Sequence, residues 1–236
     1  MIKIVFLDLD DTIIRHEADD IKLYSKVLEQ YGYDPNDYQL VYNAFDEYEA
    51  SLTEEEPFYA IKGMIDFINQ KYNKNYTYEF AYSLLETIEK EWGKKENVII
   101  SESIMKYLSS KYDLYIYTNF YQEVQEKRID NIGYRKYFKK IFGADKYGVK
   151  PYASCFRRVI NEVLGKESLT EEEYRKVLDE IIYIGDTKRS DIAFSKNIGI
   201  RSVLYDETGE RDKADIDLGD YKYDVIHNWD EITKIL

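Results

Sequence analysis

The chain has 236 residues, 44% of them hydrophobic and 33% charged, with a formal net charge of −13. That balance suits a globular fold, either one large domain or a domain carrying an insertion, and excludes a disordered chain. The negative excess repels nucleic acid and anionic membranes at long range, so neither is expected as a partner, whereas a small anion stays open if a local cation or metal receives it. The single cysteine, Cys155, forms no internal disulfide and suits a reducing cytosol. The longest apolar runs, Ile4 to Leu7 and Ile181 to Ile184, are too short to span a bilayer. With a strand opening almost at the first residue, no signal peptide is visible, and a cytoplasmic location is expected. The 25 tyrosines are spread along the whole chain and carry no functional reading.

The first predicted strand runs from Lys3 to Asp8, and the stretch VFLDLDDT places Asp8, Asp10 and Asp11 directly behind it. From about residue 15 to about residue 100 no strand is expected, only helical periods. Ile21, Tyr24, Leu28 and Tyr31 form one stripe, Ile61, Ile65, Ile68 and Tyr72 a second, and Phe80, Leu84, Ile88 and Trp92 a third. The charged KKEN segment, Lys94 to Asn97, reads as the returning linker. Further strands are predicted at Leu114 to Asn119, Ile181 to Asp186 and Arg201 to Asp206, each a nearly continuous apolar or aromatic run of the kind buried on both faces. Between them Phe156, Ile160, Val163 and Leu164 share a helix face that ends at Gly165, and Ser190 to Asn197 reads as a short helix stopped by Gly199. Strands alternating with helices imply an α/β, doubly wound, parallel-sheet (Rossmann-like) core. The expected division is a core of residues 1–15 and 101–236 with an inserted helical segment, 16–100, placed as a lid over the strand ends.

Ligands in such sheets bind beyond the carboxyl ends of the strands, where the acidic residues fall. Strand alternation would put Asp8 and Asp10 on one side, roughly 6–7 Å apart. Two such carboxylates repel unless a cation neutralises them or one is protonated. A hard divalent ion with oxygen ligands meets that need, and Mg²⁺ is the usual ion where phosphate is handled. Asp186 and Asp191 in GDTKRSD, Lys150 before Pro151, and the strand-ending Thr118 and Asn119 complete a set suited to phosphoryl transfer: a nucleophile, a proton donor, charge neutralisation and a metal.

These motifs, DLDDT at 8–12, YTN at 117–119, KP at 150–151 and GDTKRSD at 185–191, resemble in order the four motifs of the haloacid dehalogenase superfamily of phosphatases, with a helical cap inserted after the first. The resemblance implies Asp8 as the nucleophile that forms an aspartyl-phosphate. It implies that Asp10 protonates the leaving alkoxide and then activates water. Thr118 and the Asn119 N–H would hold phosphate oxygens, and Lys150 would neutralise charge beside the nucleophile. The implied metal set is Asp8, Asp10 through its backbone carbonyl, Asp186 and Asp191, around Mg²⁺. The expected activity is Mg²⁺-dependent hydrolysis of a small phosphate monoester. A phosphomutase would use the same core residues, and a non-catalytic phosphate-binding protein is the third reading. A dehalogenase fits less well, because that branch uses no second acid like Asp10. A phosphoryl-accepting receiver domain differs in motif order and in lacking the helical insertion. Thr12 is read as bonding backbone in the turn, Asp11 as a solvated neighbour, His16 as a solvated linker histidine and Cys155 as packing. The partner is expected to be a small phosphorylated metabolite. The helical segment carries no motif that names it.

Overall fold

A computed structural model describes residues 1–15 and 22–236. The sheet has six parallel strands in the order β3-β2-β1-β4-β5-β6: β1 (Ile4–Leu7), β2 (Asp113–Thr118), β3 (Lys140–Gly143), β4 (Ile181–Gly185), β5 (Arg201–Tyr205) and β6 (Asp224–Ile226). The chain builds outward from β1 to β3, then crosses to β4 on the other side of β1. The strand order therefore reverses between β1 and β4, and the crevice beyond their carboxyl ends is where this topology binds ligands.

Alternation along β1 divides the core. Val5 and Leu7 face one layer with Ile116, Ile184 and the helix residues Met105 and Leu108. Ile4 and Phe6 face the other with Tyr117, Tyr183, Phe156 and Phe194. Those layers are α5 (Glu102–Lys111) on one side and α8 (Phe156–Val163) with α10 (Ala193–Ile198) on the other. Each fully buried aliphatic or Phe side chain contributes roughly 1.5–3 kcal/mol of transfer free energy. This is why the central strands tolerate almost no polar residue before their last position.

Between β1 and α5 lie α1 (Leu23–Gln30), α2 (Tyr38–Ser51), α3 (Ile61–Tyr72) and α4 (Tyr78–Trp92). These four helices enclose a core of their own, around Tyr24, Leu28, Phe45, Ile65, Leu84 and Ile88. That core continues onto Tyr121, Val124 and Val149, so the helical insertion is seated on α6 (Gln122–Ile132) and on the loop before Lys150. Thr77 and Ser101 cap α4 and α5 by accepting from Phe80 N and Ile104 N. The base of the insertion is closed by a bridge between Ile14 and Val98, next to a single turn at Lys95–Asn97 in the expected linker. The remaining helices are α7 (Ala144–Tyr147) after β3 and α9 (Glu171–Leu178), which opens on a Thr170–Glu173 capping box.

Four predicted strands are present, each ending one residue before its predicted limit. Gly165 and Gly199 take the left-handed conformation that ends α8 and α10, as expected. Strands β3 and β6 and helices α2, α5, α6, α7 and α9 were not anticipated, and the predicted helix from Ser190 to Asn197 opens inside a π-helical turn, Lys188–Ile192, with α10 itself starting at Ala193. Ile21 and His16 lie outside the described residues. Among the described residues no helix is long and apolar enough to cross a membrane.

Candidate active site

The chain leaves the sheet at Asp8, whose N–H still donates to Ile184 O at 2.8 Å. The extended geometry assumed for Asp8 to Asp10 does not continue. Leu9 O instead accepts from the N–H groups of Ile13 and Ile14 at 2.9 and 3.0 Å, and Asp11 adopts a positive φ of 53°. The turn sends Asp8 and Asp10 to different partners while both line one pocket of about 260 Å³ above β1, β2 and β4.

Asp8 meets Lys150. The lysine is 3% exposed, and its Nζ lies 2.8 Å from Asp8 Oδ1 and 2.5 Å from Asp191 Oδ1. It also donates to the Tyr183 hydroxyl at 2.8 Å, and that hydroxyl donates to Tyr117 O at 2.6 Å. Burial pulls the ammonium down, but Asp191 and Asp8 outweigh it and hold Lys150 charged, well above its ordinary value. Asp191 comes from the π-helical turn after β4, where Thr187 N and Oγ1 both donate to its Oδ2 at 2.9 Å. Gly185 makes room for it: a Cβ there would lie 2.3 Å from the Asp191 carboxyl carbon. Gly185→Ala is therefore expected to displace Asp191 and destabilise the fold by about 1–3 kcal/mol through overpacking. A denaturant titration matching that of the unaltered chain would show that Asp191 is not fixed by this contact.

The carboxylates of Asp8, Asp186 and Asp191 are all buried and offer oxygens within 4.8 Å of one another, a set able to hold a metal ion. Desolvation, with Asp191 and Asp10 nearby, pushes Asp8 up to about 7 despite Lys150, and Asp186 is raised in the same way. Such a cluster is short of positive charge, and hard oxygen donors match a divalent ion. The Asp10 carboxylate stands outside this triad, so a metal role for Asp10 would rest on its main-chain carbonyl.

Asp10 is held from behind by α6. Arg128, 0% exposed, places NH2 2.7 Å from Asp10 Oδ1, and Gln125 Nε2 donates to Asp10 Oδ2 at 2.9 Å and to Thr118 Oγ1 at 3.0 Å. Arg128 NH1 donates to Gln125 Oε1 at 2.6 Å, and its guanidinium stacks 5.7 Å from the Trp92 ring of α4. Asn119 uses its side chain to tie the loops, accepting from Lys150 N at 2.7 Å and donating to Lys150 O and to Glu49 of α2. Burial raises Glu49 to about 7 against the pull of Asn119 and Lys150.

Six of the seven residues singled out by sequence, Asp8, Asp10, Thr118, Asn119, Lys150 and Asp186, thus line one pocket, and the seventh, Asp191, backs it. Thr12 departs from its reading: it is buried, and its hydroxyl points to Asp186 Oδ1 at 3.5 Å rather than to backbone. Asp11 is not simply solvated, since Arg211 NH2 lies 3.7 Å from it. Arg211 also pairs with Asp186, delivered by a loop that Asp206 organises by accepting from Gly209 N and Asp212 N. Cys155 is half-buried against Gly148, as a packing residue. Sequence reasoning missed Gln125, Arg128, Glu49, Tyr183 and Arg211.

Residues 4–205 match the family of haloacid dehalogenase-like hydrolases. The chain belongs to that family. Solved structures share the fold at low identity. YfnB from Bacillus subtilis, assigned as a HAD-hydrolase and bound to magnesium, aligns at 18% identity over 100% of this chain and 98% of that one, with a TM-score of 0.71. A HAD phosphatase from Thermococcus onnurineus aligns at 18% identity over 99% and 97%, with a TM-score of 0.61. An L-2-haloacid dehalogenase from Xanthobacter autotrophicus aligns at 11% identity over 100% and 98%, with a TM-score of 0.68. No curated protein matches the chain.

Proposed function

We propose that the chain is a Mg²⁺-dependent phosphatase acting on a small phosphate monoester, with the helical insertion, residues 16–100, as the cap over a core of 1–15 and 101–236. The observation that carries the reading is the meeting of Asp8 with Lys150 in a pocket that Asp10 also lines. Asp8 attacks the phosphorus, and the bond to the leaving oxygen breaks as an aspartyl-phosphate forms. Asp10 gives its proton to the departing alkoxide and then takes one from the water that cleaves the intermediate. Lys150, Thr118 and Asn119 receive the phosphoryl oxygens. Asp8, Asp186, Asp191 and the Asp10 carbonyl would hold Mg²⁺, which supplies charge neutralisation for the phosphoryl group. Dehalogenases share the fold, but a leaving halide needs no proton, whereas Asp10 stands in the pocket held by two side chains. Steady phosphate release from p-nitrophenyl phosphate with Mg²⁺ tests the reading. Release from no phosphate ester at any Mg²⁺ concentration would remove it.

A pH signature accompanies the metal site. Asp8 titrates near 3.8 in the unfolded chain and near 7 in the folded chain. Between those values the fold retains a proton that the unfolded chain has lost, so stability in chelator falls as pH rises through that window. Mg²⁺ needs the carboxylates ionised, so its stabilising effect is expected to grow over the same interval. Thermal melts from pH 5 to 8, with and without Mg²⁺, should show a widening gap. A gap independent of pH would contradict the assignment.

A further inference from the structure

The turn that carries Asp10 and the end of β2 that carries Thr118 are joined by one side chain, Gln125 of α6. Gln125 is 0% exposed and Thr118 2%. Gln125 and Arg128 stand three residues apart and share a face of α6. Arg128 carries donors only, so the amide atom that accepts from its NH1 at 2.6 Å is Oε1. That contact turns both N–H groups of the amide toward the site. One donates to Asp10 Oδ2 at 2.9 Å and the other to Thr118 Oγ1 at 3.0 Å. Arg128 NH2 neutralises Asp10 Oδ1 from 2.7 Å but without hydrogen-bond alignment, so Gln125 supplies a directional contact that Arg128 does not.

The direction of these bonds has a chemical consequence. Thr118 Oγ1 accepts from Gln125, and among the described residues its own proton meets no acceptor. Thr118 lines the pocket, so its O–H is left to donate to a phosphoryl oxygen there. With Oδ2 tied to the amide, the Asp10 carboxyl is held in one orientation at the same pocket. We propose that Gln125 is a positioning residue for phosphoryl transfer, acting through Asp10 on the leaving oxygen and through Thr118 on the phosphoryl group. One amide thereby sets the orientation of the proton carrier and the direction of the Thr118 proton together. The inference rests on the phosphatase reading above and deepens it. An apolar side chain of similar volume would fill the same space, but Asp10 Oδ2 and Thr118 Oγ1 would lose their common donor.

Two esters separate this role from a structural one. p-Nitrophenolate leaves without a proton, the alkoxide of 2-hydroxyethyl phosphate needs one, and kcat/KM reports the step in which that bond breaks. In Gln125→Met protein with Mg²⁺, kcat/KM for the alkyl ester is expected to fall at least about tenfold further than for p-nitrophenyl phosphate. Gln125→Glu keeps the volume and the acceptor for Arg128 but replaces both donors with an acceptor. The Thr118 proton is then drawn out of the pocket, and inhibition by inorganic phosphate should weaken about tenfold or more. Adding Thr118→Val to Gln125→Glu should weaken phosphate little further, whereas fully additive losses would show that Gln125 does not act through Thr118 and would overturn the inference. Equal slowing of both esters, or of neither, would also overturn it. Failure of both single variants to fold would make Gln125 a structural residue and overturn it too. If the original chain hydrolyses p-nitrophenyl phosphate in those cases, the phosphatase reading stands and only the positioning role is lost. If the original chain hydrolyses no ester, both fall.

Discussion

Asp8→Asn protein is expected to fold and bind phosphate esters but to lose at least about 10³-fold in kcat. The amide is nearly isosteric with the carboxylate, so packing above β1 should persist. What changes is chemistry: an amide oxygen is a poor nucleophile. Asp191 keeps its contact with Lys150 in the variant, so the ammonium remains paired. Stability near neutral pH should rise rather than fall, since the substitution removes a desolvated carboxylate from a crowded acidic cluster. Phosphate release assays and a thermal melt check both halves. Retained turnover would move the nucleophile elsewhere, and a loss of folding would recast Asp8 as structural.

The second large effect is expected at Arg128. Arg128→Ala should cost about 2–4 kcal/mol of stability, somewhat below the figure for a fully enclosed pair, because water reaches Asp10. Three things are lost together: the ion pair to Asp10, the donor to Gln125 Oε1 and the stacking on Trp92. Without Arg128, one Asp10 oxygen loses its anchor, and the Gln125 amide that bridges Asp10 and Thr118 loses its support. Turnover should fall along with stability. Arg128→Lys retains the charge but not the planar fork, so it should recover only part of each. Denaturant titrations of the two variants test this. An Arg128→Ala chain within 0.5 kcal/mol of the original would show that the buried contacts are not worth what their geometry implies.

The centre of the sheet was legible and its edges were not. Strands β1, β2, β4 and β5 are interior, and burial on both faces makes them continuous apolar runs. The edge strands β3 and β6 are four and three residues long, and their neighbours set their register more than their own composition does. The phosphate end of the site was readable for a related reason: Asp8 and Asp186 follow directly on interior strands and Thr118 ends one, so strand position placed them. Helix α2 was not. Tyr42, Phe45, Asp46 and Glu49 share a helix face with ordinary amphipathic spacing, and only the seating of the insertion over β1 turns that face toward the pocket. Arg128 was hidden for a different reason. An arginine in QEKRID reads as a solvated helix face, and its burial follows from the meeting of Asp10 with Trp92 across two distant segments.

The central claim is that phosphate passes through Asp8 with Asp10 as the proton carrier. It is tested most directly in Asp10→Asn protein incubated with Mg²⁺ and an activated ester, acid-quenched, digested and analysed by mass spectrometry. A phosphate adduct on the peptide carrying Asp8, persisting longer than in the original chain, is the expected result. Turnover with no adduct, or an adduct on any other residue, would contradict the account.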